Sequence, residues 1–569
     1  MASIIKKTIR GKPYYYARQC QRVDGKPKIV WQKYLGRAED LIATLTATPP
    51  SAAKPREARV HEFGAVVALY DLAQRLRVIE HIDRHVPKRG RGPSVGTYVL
   101  VAILNRCVAP CSKASISAWF QDTVLARLLA IVPRQLTSQR FWDNMDRVSP
   151  AAIEAIERDV VGTMVREFDI DLRRVLFDAT NFFTFIDTFN ARSTLAQRGK
   201  SKEGRQALRI VGLALLVSAD FEVPLLHRTY PGNRTDAPTF HSLSAALVER
   251  YRQLTDTTEH VTLVFDKGNN SGDNLEAIDA SPYHFIGSLV PTQHTDLLAI
   301  PMRRLRCLDQ HGLPGVRAYR LTREVFGVTR TVLVTYNENL FVAQARTLLR
   351  EIAKRQQRLG ELQRQLRRHQ TGQIRTGKRP TLKGVTNKVQ GWLKARHMKE
   401  LFHVECDEHN GLPRLTYRFK HRAWQQLQKT LLGKTILFTD NDDWSDAEIV
   451  RGYRAQHHVE SAFRQMKDPH HIALRPQHHW TDQKVEVHVL CCVLALMLCS
   501  LLRRELHRCG IDRSIPALLE QLAKIREVAV VYPPPDKRRS PCIQMTSSAM
   551  SAEQRELYDA LNLGRYLAA

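Results

Sequence analysis

Hydrophobic and polar positions alternate with period two over the first 45 residues and then change period. IIKKTIR and PYYYARQCQRV alternate, and VDGKPKIVWQKYL adds an Asp-Gly turn and a further strand, so residues 1–45 read as a small β unit. TPPSAAKP follows as a linker. From Val60 to Phe168 the apolar residues recur at three and four, in VVALYDLAQRL, TYVLVAILNR, ISAWF, VLARLLAIV and AAIEAIERDVVGTMVREF, which predicts a helical domain over 60–168. Basic turns such as PKRGRGPS lie between these helices. The domain is read as DNA-binding, with a plain helical packing domain as the alternative.

Strands return near Arg173. RRVLFDAT, LRIVGLALLVSAD and VPLLHRTYPGN are three apolar runs, followed by an amphipathic helix over Pro238 to Leu254 and two more runs, HVTLVFDKG and YHFIGSLV. That order predicts an α/β sheet of mixed strand direction over 169–300. Two strands stop at an aspartate, Asp178 after VLF and Asp266 after TLVF, and ligands of α/β sheets sit at the carboxyl ends of strands.

After Val290 the pattern breaks, and residues 301–440 read as a basic insertion domain. Ala343 to Glu400 holds sixteen Lys or Arg against three Glu, and LLREIAKRQQRLGELQRQLRR predicts a surface helix or helical hairpin arm. LPRLTYRF and KTILFTD are β-like. DWSDAEIVRGYR then opens a helix capped by Ser445 or Asp446. Continued to Lys467, that helix places Tyr453, Gln456, His457, Glu460, Arg464 and Lys467 on one stripe. VEVHVLCCVLALMLCSLL, Val485 to Leu502, approaches the length of a membrane span. Glu486, His488 and the basic RREL exit favour a core helix under the sheet. Residues 441–510 complete the α/β core, and 511–569 form a tail with one strand, a basic loop and a short helix, a candidate for dimerisation.

Composition sharpens the picture. The 569 residues carry 86 Lys+Arg against 57 Asp+Glu, a formal charge of +29. Such an excess points to a polyanionic partner, nucleic acid before an acidic membrane surface. No apolar leader follows Met1, and the ten cysteines form no CxxC pair. The expectation is a cytoplasmic protein with no membrane partner.

Three acids far apart in the chain, Asp178, Asp266 and Glu460, make the oxygen-rich set that Mg²⁺ or Mn²⁺ takes, and two ions about 4 Å apart support in-line phosphoryl displacement. Each acid alone also reads as an ordinary strand-end or surface carboxylate. GKT at Gly433–Thr435 lacks the upstream glycine of a phosphate loop. The histidine pairs at 457/458, 470/471 and 478/479 match no zinc spacing, and Cys491, Cys492 and Cys499 read as core thiols.

FDATNFF, KSKEGRQALRIVGLALL, YPGNRTD, LVFDKGNNSGDN, YRAQHHVESAFRQMK and LRPQHHWTDQKVEVHVLCCVLALML, in that order, resemble the DDE transposases of bacterial insertion sequences. The resemblance is to the group with a long insertion before the glutamate and a Y-R-E-K motif. It implies an RNase H-like catalytic core, with Asp178, Asp266 and Glu460 as catalytic residues holding two Mg²⁺ or Mn²⁺ ions. Tyr453 and Lys467 match the Y and K positions, which hold phosphates of the transposon end. The arginine position is Gln456 here, so Arg454 or, better placed, Arg464 is expected to replace it. Lys267, Thr180 and Asn181 flank the acids as metal-site or DNA neighbours, and Asn233 and Arg234 are softer DNA candidates. Trp392, Trp424 or Trp444 is a candidate to stack on a flipped base. The implied activity is binding of terminal inverted-repeat DNA by a homodimer, nicking, and joining of the 3′ end to target DNA, in a bacterial cytoplasm near the nucleoid. A repeat-binding protein without catalysis, and a metal-dependent nuclease without strand transfer, are the alternatives.

Overall fold

The computed structural model describes residues 2–9, 11–23, 26–46, 54–88, 90–234, 261–374, 376–475, 478–533 and 542–568. The helix expected over 238–254, most of the 48–55 linker and the basic loop after Pro533 lie outside the described residues. The chain forms two compact units, Met1–Glu62 with Ile525–Met550 and Gly564–Ala569, and Phe63–Lys524 with Ser551–Leu563.

In the first unit β1 (Ala2–Ile9), β2 (Lys12–Val23) and β3 (Lys26–Gly36) form an antiparallel sheet in chain order. A second three-stranded sheet pairs β4 (Glu57–Glu62) and Cys542–Ser547 with opposite edges of Arg526–Tyr532.

The second unit opens with helices, among them Gly64–Arg75, α1 (Val95–Val108) and α2 (Pro150–Phe168). Ser94 and Ser149 cap α1 and α2 by accepting the amides of Thr97 and Ala152, and Pro150 occupies the first turn, where no intrahelical donor is needed. The large sheet contains β5 (Arg174–Phe183), β6 (Ile210–Ser218), β7 (Pro224–Pro231), β8 (Thr262–Phe265), β9 (His284–Ser288), β10 (Arg306–Cys307), β11 (Val316–Val325) and β12 (Val328–Asn337). All nine residues of β6, IVGLALLVS, are buried, as a strand covered on both faces requires.

Between β12 and the last strand of the sheet, α3 (Glu338–Gln370), α4 (Leu382–Leu393) and the hairpin of β13 (Phe402–His409) with β14 (Leu412–Phe419) share a core of their own. Ile352, Leu359, Leu362, Val389 and Leu415 fill it. Asn337 caps α3 by accepting two amides. The chain then returns to the sheet as β15 (Lys434–Thr439), giving the order β10-β11-β12-β15-β9-β8-β5-β6-β7. β6 runs antiparallel to both β5 and β7, and β8 and β9 run parallel to β5. Residues 306–337 therefore extend the sheet. Their alternation is weak as sequence because Arg and Thr occupy inward as well as outward positions.

Three helices follow β15, α5 (Asp446–Arg454), α6 (His457–Met466) and α7 (Asp482–Arg508), and Ile515–Ala523 and Ala552–Ala560 complete the unit. By length and composition α7 could cross a membrane, but 94% of its most apolar window is buried inside the protein. It packs against Gly64–Arg75, α1, α2 and β7, so its apolar surface is met by helices and sheet.

Candidate active site on β5 and at the end of β8

The parallel pair β5 and β8 aligns Phe177 with Phe265, and an aspartate follows each phenylalanine. The strand expected to stop at Asp178 does not: β5 stays paired with β6 as far as Phe183, so Asp178 sits in mid-strand, and only β8 ends at its aspartate. Asp266 keeps extended backbone, φ −87° and ψ 162°, so the two acids stand side by side at one level. Neighbouring strands lie about 4.8 Å apart, which makes the two acids close neighbours despite their separation in sequence. Asp178 Oδ1 accepts the Ala179 amide at 2.7 Å. Asp266 Oδ1 accepts from Ser288 Oγ at 3.2 Å and from the Tyr453 hydroxyl at 3.3 Å, and that hydroxyl also lies 2.8 Å from Ser288 Oγ. Burial, followed by the nearby charge of Asp266, raises the Tyr453 phenol above its usual range, so it stays protonated and donates.

The continuous Tyr453–Lys467 helix expected from the spacing is broken. α5 ends at Arg454 and α6 begins at His457, joined by a tight turn in which Gln456 N reaches Tyr453 O and His458 N reaches Ala455 O. The cause is a change of packing partner: α5 lies over β8, β9 and β15, whereas α6 lies over β5 and β6. Gln456 is buried and donates from Nε2 to Phe177 O at 2.9 Å, one residue before Asp178. Lys467 donates to Thr180 Oγ1 at 2.7 Å and Asn181 O at 2.8 Å, two and three residues past Asp178. α6 is thus pinned to β5 on both sides of Asp178. Glu460 stands four residues after one pin and seven before the other, on the same helical face, and it is exposed.

Lys467 also pairs with Glu203 at 3.3 Å, and Arg475 meets the same carboxylate at 3.4 Å. Burial lowers the Lys467 pKa, with Glu203 opposing that shift. Lys202 donates to Ala179 O at 2.5 Å, so the KSKEGR segment is tied to β5 beside the acids. In this structure Tyr453 and Lys467 are therefore bound to protein groups. Arg454 is half-buried, with its pKa lowered by burial, while Arg464, Asn233 and Arg234 are exposed. Lys267, exposed beside Asp266, lines a cavity of about 820 Å³ with Ser288 and Tyr453, and Gln344, Leu348 and His397 face them from the α3 side. Trp392 and Trp424 pack against the separate core around α3, and the Trp444 carbonyl accepts Arg320; none of the three lines the cavity.

Ser288, Gln456, Glu203 and Arg475 are neighbours of the candidate site that the sequence did not mark as supports. Ser288 bonds Asp266, Gln456 bonds the backbone just before Asp178, and Glu203 and Arg475 support Lys467; they come from four separate segments, and no periodicity marks them. The decoys behave as core and turn residues. Gly433 has φ 76°, at a turn where a Cβ would strike Phe341 and Tyr336. Burial pushes the Cys492 thiol up to about 12 and the His479 ring down to about 3. Among the described residues no three His, Cys, Asp or Glu side chains are gathered closely enough to hold one metal ion, so Asp178, Asp266 and Glu460 do not form a closed cluster in this structure.

A family model described as "Transposase DDE domain" matches residues 172–498, more than half of the chain, from just before β5 into α7. The span encloses Asp178, Asp266 and Glu460. The chain belongs to the transposase DDE domain family, and its class is that of the DNA transposases. No curated protein matches it. Among solved structures, the synaptic complex of piggyBac transposase with hairpin DNA aligns over 81% of this chain and 78% of that one, at 7% identity and a TM-score of 0.35. At that score the likeness carries no argument.

Proposed function

We propose that the protein is the transposase of a bacterial insertion sequence, which binds the terminal inverted repeats, cleaves the strand at each end and transfers the freed 3′ end to target DNA. The observation that carries this reading is the pinning of α6. Gln456 and Lys467 grip β5 on either side of Asp178, and Glu460 lies exposed between them over a strand whose parallel neighbour ends in Asp266. The order β7-β6-β5-β8-β9, with three antiparallel strands followed by two parallel to the first, supports an RNase H-like core. The segment around α3, with its own core, is then an insertion between β12 and β15.

The donor types suit divalent cations, and the three carboxylates must draw closer than they stand in this structure to share one. Asp178, Asp266 and Glu460 offer only hard carboxylate oxygens, and each aspartate has one oxygen held by an oriented donor. Two such cations, when bound, supply Lewis acidity to the scissile phosphate and activate the attacking oxygen. The chain's part is to present the acids. Ser288 and Tyr453 fix the Asp266 rotamer, and α6 carries Glu460 toward the pair. Arg454, Arg464 and Lys267 are the proposed phosphate contacts. Tyr453 and Lys467 serve DNA only by exchanging their present protein partners. Paired ends call for a homodimer on DNA.

The test is a cleavage and joining reaction with repeat-ended donor DNA, target plasmid and Mg²⁺ or Mn²⁺. Asp178→Asn, Asp266→Asn and Glu460→Gln are each expected to lower cleavage by about 10³-fold or more, because phosphoryl transfer rests on positioned charge. Wild-type cleavage by Asp178→Asn and Glu460→Gln would remove the catalytic assignment. Cleavage without joined product would favour a nuclease.

A further inference from the structure

We infer that one face of the N-terminal β1–β2–β3 sheet is a grip for duplex DNA. In register, Ile5 pairs with Tyr16, Lys7 with Tyr14, Ser3 with Arg18 and Ile9 with Lys12, and Tyr16 pairs with Tyr34 on β3. Cross-strand partners share a face, so Lys7, Lys12 and Arg18 surround Tyr14, Tyr16 and Tyr34. Among the described residues of these strands only Gly36 is buried; the rest are half-buried or exposed. A sheet so thinly covered contributes little core of its own.

Charge says what covers the face. Residues 1–46 contain ten Lys or Arg against three Asp or Glu, a net positive charge per residue about three times that of the whole chain. No acid lies among the paired residues of this face. Arg18 Nε has no hydrogen-bond partner although it is shielded from solvent, an arrangement that a phosphate oxygen would complete.

The tyrosine rings indicate which form of DNA. The Tyr34 ring packs against Tyr14 at 6.1 Å and Tyr16 at 5.2 Å, tilted by 46° and 53°. Lys7 lies 5.1 Å from the Tyr16 centroid and Arg37 5.8 Å from that of Tyr14. With their faces occupied by neighbours and cations, the rings do not offer the open stacking platform that unpaired bases use. A small basic β-sheet is of a kind that enters a groove of duplex DNA, with its cations on the phosphates. The surface deepens the transposase reading, on which its role at the repeats rests, but duplex binding is tested separately from cleavage.

The experiment uses the full chain and two variants, Lys7→Ala/Lys12→Ala/Arg18→Ala and Lys12→Ala/Arg18→Ala, the second keeping the Lys7–Tyr16 contact in case the first disturbs folding. A labelled duplex of the DNA flanking the gene, a scrambled duplex and the corresponding single strand are titrated at several salt concentrations. The triple variant is expected to lose at least about tenfold in duplex affinity, with a salt slope shallower by about 2 to 3, since each phosphate contact contributes about 0.9. The double variant should show a smaller loss in the same direction. Metal-dependent cleavage at saturating protein should be retained by both. Unchanged duplex binding, tighter binding of single strand by the wild type, or a change in oligomeric mass without DNA would each overturn the assignment. Wild-type cleavage by Asp178→Asn would sink the transposase reading and leave the grip standing.

Discussion

At the scale of single residues the structure separates positioning from contact. The Tyr453 hydroxyl lies within hydrogen-bond reach of Asp266 Oδ1 and Ser288 Oγ, so Tyr453→Phe removes an orienting hydrogen bond and keeps the ring. The expected outcome is a fall in kcat of about tenfold, as for a supporting hydrogen bond of 1 to 1.5 kcal/mol, with DNA affinity within about twofold of wild type. A loss confined to affinity would mean instead that the hydroxyl leaves Asp266 for a phosphate. A second residue-scale prediction concerns acid. The His479 and His488 rings are 4.9 Å apart, and burial lowers both pKa values, His479 to about 3, with Arg106 and Lys113 adding to the shift. Between pH 6.5 and about 3 the unfolded chain binds more protons than the folded one, so stability rises with pH across that window and is lost as pH falls below 6.5. At pH 5.5 the loss should be on the order of 1 kcal/mol per ring. His479→Gln/His488→Gln should lower Tm at pH 7.5 and flatten its decline toward pH 5.5 in a thermal melt.

At the scale of elements, α6 owes its placement to its two ends. Its buried face, Val459, Ala462, Phe463 and Met466, holds it to the unit, while Gln456 and Lys467 fix its register against β5. The side chains of Lys467 and Glu203 are only 14% and 15% exposed, so removing Lys467 leaves the buried Glu203 carboxylate to Arg475 alone. Lys467→Met should destabilise the second unit by about 1–3 kcal/mol, with Arg475 still pairing Glu203, and Lys467→Met/Glu203→Gln should recover part of that, because a buried pair costs more broken than replaced. Chemical denaturation of the three proteins checks it; equal loss in the single and double variants would contradict the ion-pair account. α7 makes the converse point. A sequence apolar enough for a membrane became the buried helix of the second unit, since helices and β7 meet its surface.

At the scale of the whole molecule, the charge of +29 is the property with the widest consequence. If six to ten phosphates are neutralised, affinity for duplex DNA should fall by about 10³ to 10⁵ between 50 and 200 mM salt. Fluorescence anisotropy over that range tests it, and a slope near zero would exclude a mainly electrostatic grip. The family match covers the segment from just before β5 into α7 and leaves residues 1–171 unmatched, so the assignment of the N-terminal sheet rests on its own charge and geometry.

What was legible from residue order alone follows from local rules. Apolar runs marked β5 to β9, helical spacing marked the region before them, and TLVF-Asp announced an acid at the end of β8, whereas Asp178, also expected at a strand end, lies within β5. The helix around α3 and the core character of α7 were readable as well. Tertiary structure decided what depends on contacts between distant segments: that Phe177 and Phe265 share a register, that the Glu460 helix breaks where its packing partner changes, and that Tyr453 and Lys467 hold protein groups. It also decided that β10 to β12 join the sheet. Periodicity reports which side of an element is apolar, but a hydrogen bond between residues 187 positions apart, as from Tyr453 to Asp266, leaves no period to read.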